Sequence, residues 1–195
     1  HINDRDVRIL RETVACKLNL EMSMAEPIVK IAEQVMPDQV TLVPENRAEL
    51  TTEGGLDCVQ YKRRLLDVVK RMHKKGIAVS AFITADREQI VASAEAGCDA
   101  VELHTGMYAN AKSEKAAKLQ VLKLEAGRDL ALENGLILHA GHGLTYRNLA
   151  PVARIEGLRE FNIGHSIIAR AVLVGLRKAT REMIRLIDKY EPHEM

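Results

Sequence analysis

Two carboxylates and a pair of glycine–histidine elements are the residues of this chain best suited to chemistry. Glu21 closes the otherwise apolar run Leu18-Asn19-Leu20-Glu21-Met22, and Glu102 lies inside Val101-Glu102-Leu103-His104. An unpaired carboxylate in an apolar interior costs several kcal/mol, so such placement implies a partner or a task. Partial desolvation raises its pKa and suits it to general base work. A structural ion pair is the alternative for each. Glu102 and His104 are two apart and therefore share a strand face.

The glycine–histidine elements are Ala140-Gly141-His142-Gly143 and Asn162-Ile163-Gly164-His165. Glycine lets backbone N–H groups approach a phosphate oxygen, and a following helix N-terminus adds partial positive charge. Tight turns are the plainer explanation. His142 can exchange a proton near neutral pH, whereas His139, inside its apolar run, reads as a core histidine bonded to a carbonyl. His73 and His193 read as surface residues. Arg47 and Lys112 are the basic residues nearest these segments, so a phosphorylated ligand would rely on backbone donors and histidines. Glu21, Glu102, His104 and His142 could be imagined around a metal, but nothing in their spacing enforces ligand geometry, and no metal is expected. The polar stretch from Glu45 to Asp57 is too long for a minimal turn. It suits a lid hinged at Gly54-Gly55 with hydroxyls from Thr51 and Thr52, or a merely solvated loop.

Positioning these groups needs regular elements, and apolar periodicity supplies them. Asn3 or Asp4 caps a first helix with Val7, Leu10 and Val14 inward. Strands are expected at Leu18–Met22, Gln39–Val43, Ala78–Ile83, Ala100–Leu103, Leu136–Leu138 and Glu160–Ile163. Between them lie helices with inward faces Ile28/Ile31/Ala32/Val35, Leu65/Leu66/Val69/Met72, Ile90/Ala94, Leu119/Leu122/Ala126/Leu130 and Leu149/Val152. A single closing helix carries Ile168, Val172, Leu176, Ala179, Met183 and Ile187. Its extra apolar positions, Ile167, Val174 and Leu186, cover the barrel or serve a subunit contact. Strands joined by such crossovers are parallel. No G-x-G-x-x-G follows a strand, which disfavours a dinucleotide-binding sheet. Polar residues end strand after strand, as expected of a (β/α)8 TIM barrel whose strand ends converge on one face. Six strands are seen where a barrel has eight, and the chain is roughly 55 residues short of a typical barrel of about 250. Residues 1–195 therefore read as a single α/β barrel domain, N-terminally incomplete.

Composition removes other classes. With 28 basic and 27 acidic residues there is no excess for nucleic acid. Aromatics are 3% with no Trp, so stacking platforms are not expected. No apolar run reaches the roughly 20 residues of a membrane helix. Cys16, Cys58 and Cys98 form no CxxC pair and read as small buried hydrophobes in a reducing compartment.

Seven segments taken in order carry a resemblance. They are His1-Ile2-Asn3-Asp4-Arg5-Asp6-Val7, Asn19-Leu20-Glu21-Met22, Leu42-Val43-Pro44-Glu45, Thr51-Thr52-Glu53-Gly54-Gly55-Leu56-Asp57, Glu102-Leu103-His104-Thr105-Gly106, Ala140-Gly141-His142-Gly143-Leu144-Thr145-Tyr146 and Asn162-Ile163-Gly164-His165. Together they resemble the pyridoxine 5′-phosphate synthase family. The resemblance implies a cytoplasmic (β/α)8 barrel assembled as a homo-octamer of dimers. It implies condensation of 3-amino-2-oxopropyl phosphate with 1-deoxy-D-xylulose 5-phosphate to pyridoxine 5′-phosphate, releasing phosphate and water, with no metal or organic cofactor. By the same resemblance Glu21 is the general base, His142 the proton donor, and Glu102 the stabiliser of a transition state. His1 and Thr51 fall where the family binds the deoxyxylulose phosphate, and Gly143, Gly164 and His165 where it binds the amino-ketone phosphate.

The family's first strand carries an Asn-x-Asp-His motif and its second a catalytic His with a nearby Arg, and neither is in this sequence. The chain starts at His1 rather than Met, as if partway through a larger one, and on its own is expected to be poorly active. Two other functions remain in view. One is a phosphosugar isomerase or aldolase barrel, although no strand ends in the Lys that a Schiff-base aldolase needs. The other is a noncatalytic fragment contributing only assembly surface.

Overall fold

The computed structural model describes residues 2–45 and 54–192. Its centre is a parallel sheet of β1 (Asn19–Met22), β2 (Gln39–Leu42), β3 (Ala78–Ile83), β4 (Ala100–His104), β5 (Ile137–Gly141) and β6 (Leu158–Asn162), in that spatial order. Each strand pairs with the next in sequence, as in a barrel and unlike a doubly wound sheet, whose order reverses. The sheet curls far enough for its first and last strands to touch. Asn19 Nδ2 of β1 donates to Glu160 Oε1 of β6 at 3.2 Å, and Lys17 Nζ lies 2.6 Å from Glu160 Oε2.

Alternation along the strands divides the sheet into two chemically distinct faces. In register lie Glu21, Thr41 and Ser80, then Phe82, Glu102, His139 and Glu160, then His104, Gly141 and Asn162. These residues share the concave face. The residues between them (Leu20, Met22, Val40, Leu42, Val79, Ala81, Ile83, Val101, Leu103, Leu138 and Ala140) are buried against the helices. The hydrophobic core therefore lies outside the curl, and the inside is left for polar groups.

The helices are α1 (Asp4–Thr13), α2 (Glu26–Val35), α3 (Lys62–His73), α4 (Arg87–Glu95), α5 (Gly106–Ala109), α6 (Glu114–Glu133), α7 (Leu149–Ala153), α8 (His165–Val174) and α9 (Leu176–Tyr190). Asn3 caps α1 by accepting from the N–H groups of Arg5 and Asp6, while the Asp6 carboxylate accepts from the Asn3 N–H. Arg71 of α3 reaches Glu26 at 2.6 Å and Glu33 at 2.9 Å, tying α3 to α2.

Four expected helix faces are corrected, the first on α3, where Leu66 is exposed and Val68 is buried with Leu65, Val69 and Met72. Leu10 of α1 is exposed, leaving Val7 as the buried residue of that helix. On α6 the buried face is Leu124, Gly127 and Ala131, and Leu119 and Leu122 are exposed. That helix is apolar on more than one side, and close packing decides between them, since a Cβ on Gly127 would lie 2.9 Å from Ala85 Cβ. The single closing helix is two, broken at Gly175, whose φ of 83° a residue with a side chain rarely adopts. Ala179 and Met183 of α9 are buried, while Ile168, Val172 and Leu176 are exposed. Ile167 and Leu186 pack partly buried on the core. Cys58 and Cys98 are buried as expected, but Cys16 is exposed. Among the described residues no helix is long and apolar enough to cross a membrane.

Candidate active site

At the C-terminal ends of the strands the concave face opens into a cavity of about 950 Å³. Its walls include Glu21 from β1, Phe82 from β3, Glu102 from β4, His142 and Gly143 after β5, Asn162 from β6, and Gly164, His165 and Ser166 at the start of α8. All six expected site residues within the described region thus share one cavity. His1 and Thr51 lie outside the described residues.

The two carboxylates sit in different surroundings. Glu21 is exposed at the cavity wall, whereas Glu102 is 3% exposed. Burial pushes the Glu102 carboxyl up to about 8; the Asn162 hydrogen bond opposes that rise, and the charges of Glu21 and Glu160 add to it. Near neutral pH Glu102 is therefore mainly a neutral acid that can donate a hydrogen bond or a proton. Asn162 Nδ2 donates to Glu102 Oε2 at 2.7 Å.

His142 stands on a turn in the left-handed region, φ 76°, followed by Gly143 at φ 77°. A non-glycine residue there costs roughly 1–2 kcal/mol, so something must hold it. Thr105, fully buried, does so. Its N–H donates to the Gly141 carbonyl at 2.8 Å, and its hydroxyl lies 2.7 Å from that carbonyl and 2.5 Å from the carbonyl of His142. The strained turn turns the imidazole to the cavity wall, where its ring centroid is 4.8 Å from that of His104. His104 in turn meets Phe82 edge-on at 5.0 Å. Gly106 makes room for this pair, because a Cβ there would lie 2.6 Å from the His104 ring and 3.2 Å from that of His142.

Helix α8 begins at His165, after Gly164 at the N-cap position, with no side-chain cap and no acidic residue in its first turn. Its leading N–H groups are at the cavity, where an anion would find them. Ser166 Oγ donates to the Leu144 carbonyl at 2.9 Å and fixes the turn after β5 against α8. No Lys or Arg lines the cavity among the described residues. Among them, too, no group of three His, Cys, Asp or Glu converges as a metal-binding set. Burial drives the Cys58 and Cys98 thiols upward, so neither is a ready nucleophile.

The segment that follows Gly54 is anchored to the sheet. The Leu56 N–H donates to the Phe82 carbonyl at 2.8 Å, and a Cβ on Gly55 would lie 2.6 Å from the Thr84 backbone nitrogen, so this end of the loop is seated on β3. His139 is 2% exposed as a core histidine should be, but its Nδ1 faces Glu160 at 4.0 Å rather than a carbonyl. Desolvation lowers its pKa. Thr105 and Asn162 are among the polar strand ends expected on this face, although neither was given a specific role, and Asn162 falls in register with Gly141 and His104. Phe82 and Ser166 are parts of the site that the sequence did not single out.

Solved structures with the same architecture include a xylose isomerase domain protein from Planctomyces limnophilus (TM-score 0.56, 14% identity, covering 90% of this chain and 71% of that one). A GMP reductase from Trypanosoma brucei aligns with TM-score 0.53 at 16% identity over 87% of this chain and 44% of that one. At these identities the likeness concerns the fold alone. Sequence relatives are far nearer. The pyridoxine 5′-phosphate synthase of Synechococcus sp. (strain JA-2-3B'a(2-13)) is 57% identical over 183 residues, 94% of this chain and 77% of that protein. That of Magnetococcus marinus is 51% identical over 187 residues, 96% of this chain and 77% of its own length. Residues 1–189 match the family of pyridoxal phosphate biosynthesis protein PdxJ. With the barrel strands in sequential order and identity above half across nearly the whole chain, the protein belongs to the PdxJ family.

Proposed function

We propose that the chain is a pyridoxine 5′-phosphate synthase of vitamin B6 biosynthesis, condensing 3-amino-2-oxopropyl phosphate with 1-deoxy-D-xylulose 5-phosphate. One observation carries the reading. Glu21, Glu102, His142, Gly143, Gly164 and His165, from four strand ends, line one cavity large enough for two small phosphorylated molecules. Family membership supports the reaction.

The amine of one substrate adds to a carbonyl of the other, water leaves as the imine forms, protons beside carbonyls move, and one inorganic phosphate and a second water depart as the ring closes and becomes aromatic. Each step needs a positioned acid or base. Glu21, the accessible carboxylate, is the base. Glu102, a neutral acid, donates a hydrogen bond where oxygen gains charge. His142 delivers a proton to the leaving hydroxyl. The α8 N-terminus and the Gly143 turn hold the amino-ketone phosphate by backbone N–H groups together with His165, which suits a cavity without lysine or arginine among its described walls. His1 and Thr51 bind the deoxyxylulose phosphate. The protein acts in the cytoplasm as a homo-octamer, in which the exposed Ile168, Val172 and Leu173 of α8 meet other subunits.

The test is calorimetric titration with each phosphorylated substrate, followed by mass spectrometry of a mixture of both. Saturable binding of both substrates and appearance of pyridoxine 5′-phosphate are expected. A folded protein that binds neither and makes no product would overturn the reading.

A further inference from the structure

Resting on the reading of Glu102 as an active-site group, we propose that Asn162 is a positioning residue for the reaction, clamping the Glu102 carboxyl from β6 while the bare backbone of Gly141 makes room for it from β5. The Asn162 amide donates to Oε2 at 2.7 Å. The other oxygen, Oε1, occupies space that a side chain at position 141 would fill, since a Cβ built on Gly141 would overlap it. An oxygen that accepts a hydrogen bond from an amide is the carbonyl-like one of a neutral carboxyl, so the acid proton resides on Oε1.

The clamp governs both which oxygen is acidic and where it points. Its surroundings otherwise work against ionisation. Glu21 faces Glu102 from β1 and Glu160 from β6, with Glu160 itself paired to Lys17. His139 is its register partner on β5, His104 is on its own strand, and His142 follows β5. Against burial and the charges of Glu21 and Glu160, the Asn162 amide favours the charged form and keeps the proton transferable.

The experiment compares N162L, which keeps the approximate shape and removes the donor without adding charge, with G141A, which keeps the Asn162 amide but crowds Oε1 and the Asn162 carbonyl, and with E102Q. Loss of a hydrogen bond to a charged or ionising group corresponds to a fall in kcat of roughly 10- to 100-fold. KM should stay within about twofold, because the substrate-binding groups are untouched. Isotope-edited infrared titration of the carboxyl band that disappears in E102Q should show Glu102 ionising at higher pH in N162L, a shift that loss of the amide donor produces without any added charge. Circular dichroism verifies folding; if N162L does not fold, N162S removes the amide in its place. The positioning role is overturned if E102Q is inactive while N162L and G141A keep wild-type kcat and the same Glu102 titration. If E102Q is fully active, the role assigned to Glu102 itself falls, and the clamp with it.

Discussion

Replacing Thr105 by valine isolates what holds His142 in its strained turn. The substitution is nearly isosteric at a fully buried position, so packing is conserved while the hydroxyl between the Gly141 and His142 carbonyls is lost. The Gly141 carbonyl keeps the Thr105 N–H as a donor, and the His142 carbonyl loses the one that the hydroxyl supplied. One hydroxyl proton serves at most one bond at a time, so the net loss is that of a single, partly buried hydrogen bond plus the cost of a poorly solvated carbonyl, about 1–2 kcal/mol. For a domain of this size that lowers Tm by roughly 2–8 °C. The effect on catalysis should be larger. The left-handed conformation of His142 stores roughly 1–2 kcal/mol, which is released if the turn relaxes. Displacing the imidazole by about 1 Å can cost on the order of 100-fold in rate. Thermal unfolding and kcat are measured on T105V beside T105S, which keeps the hydroxyl and gives up a methyl group at about 1 kcal/mol. T105S should retain most activity and T105V should not. A T105V protein with wild-type kcat, or a T105S protein more impaired in kcat than T105V, would refute the argument.

The E21Q and H142N variants should each lower kcat by about 10²–10⁴ without changing Tm appreciably, as removal of general acid–base groups does; turnover and thermal scans settle it together. Because the Glu102 carboxyl is raised to about 8 in the folded state from an ordinary value of 4.5, the native form holds a proton that the unfolded chain releases. Stability from this group is present below about pH 4.5 and drains away as pH rises toward 8. E102Q should therefore exceed the wild type in urea midpoint by a margin that widens across that window, and a constant margin would contradict it. G127A gains up to about 1 kcal/mol in helix propensity. It nevertheless forces a methyl to 2.9 Å from Ala85 Cβ, an overpacking that typically costs about 1–3 kcal/mol. A lower urea midpoint is expected, and a higher one would show that α6 can move away from Ala85.

Strand positions were legible because β-branched and aliphatic runs bounded by polar residues have few alternatives. Ala78–Ile83 is a strand with the expected ends. The barrel followed from polar residues at strand ends, and the sequential pairing agrees. Helix faces were less legible. In α6 both Leu119/Leu122 and Leu124/Ala131 satisfy helical spacing, and only the approach of Gly127 to Ala85 separates them. In the closing segment Gly175 interrupts an apolar pattern that continues across it, so periodicity alone joins two helices into one. Within the site, Glu21, Glu102 and His142 stood out because charged or titratable groups are conspicuous at the ends of apolar runs. Thr105 and Asn162 were legible only as polar strand ends of the same face, since a short polar residue there is ordinary and its partner cannot be read from the chain. Their significance lies in a hydroxyl between two carbonyls and an amide against a carboxyl.

The division of the sheet into an apolar outer face and a polar inner one has a practical consequence for redesign. Stability and reactivity are written in alternate letters of each strand, Val101 and Leu103 in one set, Glu102 and His104 in the other. A combinatorial library confined to the inner letters could explore new chemistry while leaving the volume that folds the chain untouched. A single deletion within a strand would exchange the two sets from that point on, placing carboxylates among the helices and leucines in the reaction chamber. Insertions and deletions should therefore be tolerated in the connections and purged from the strands, even where every individual substitution is mild.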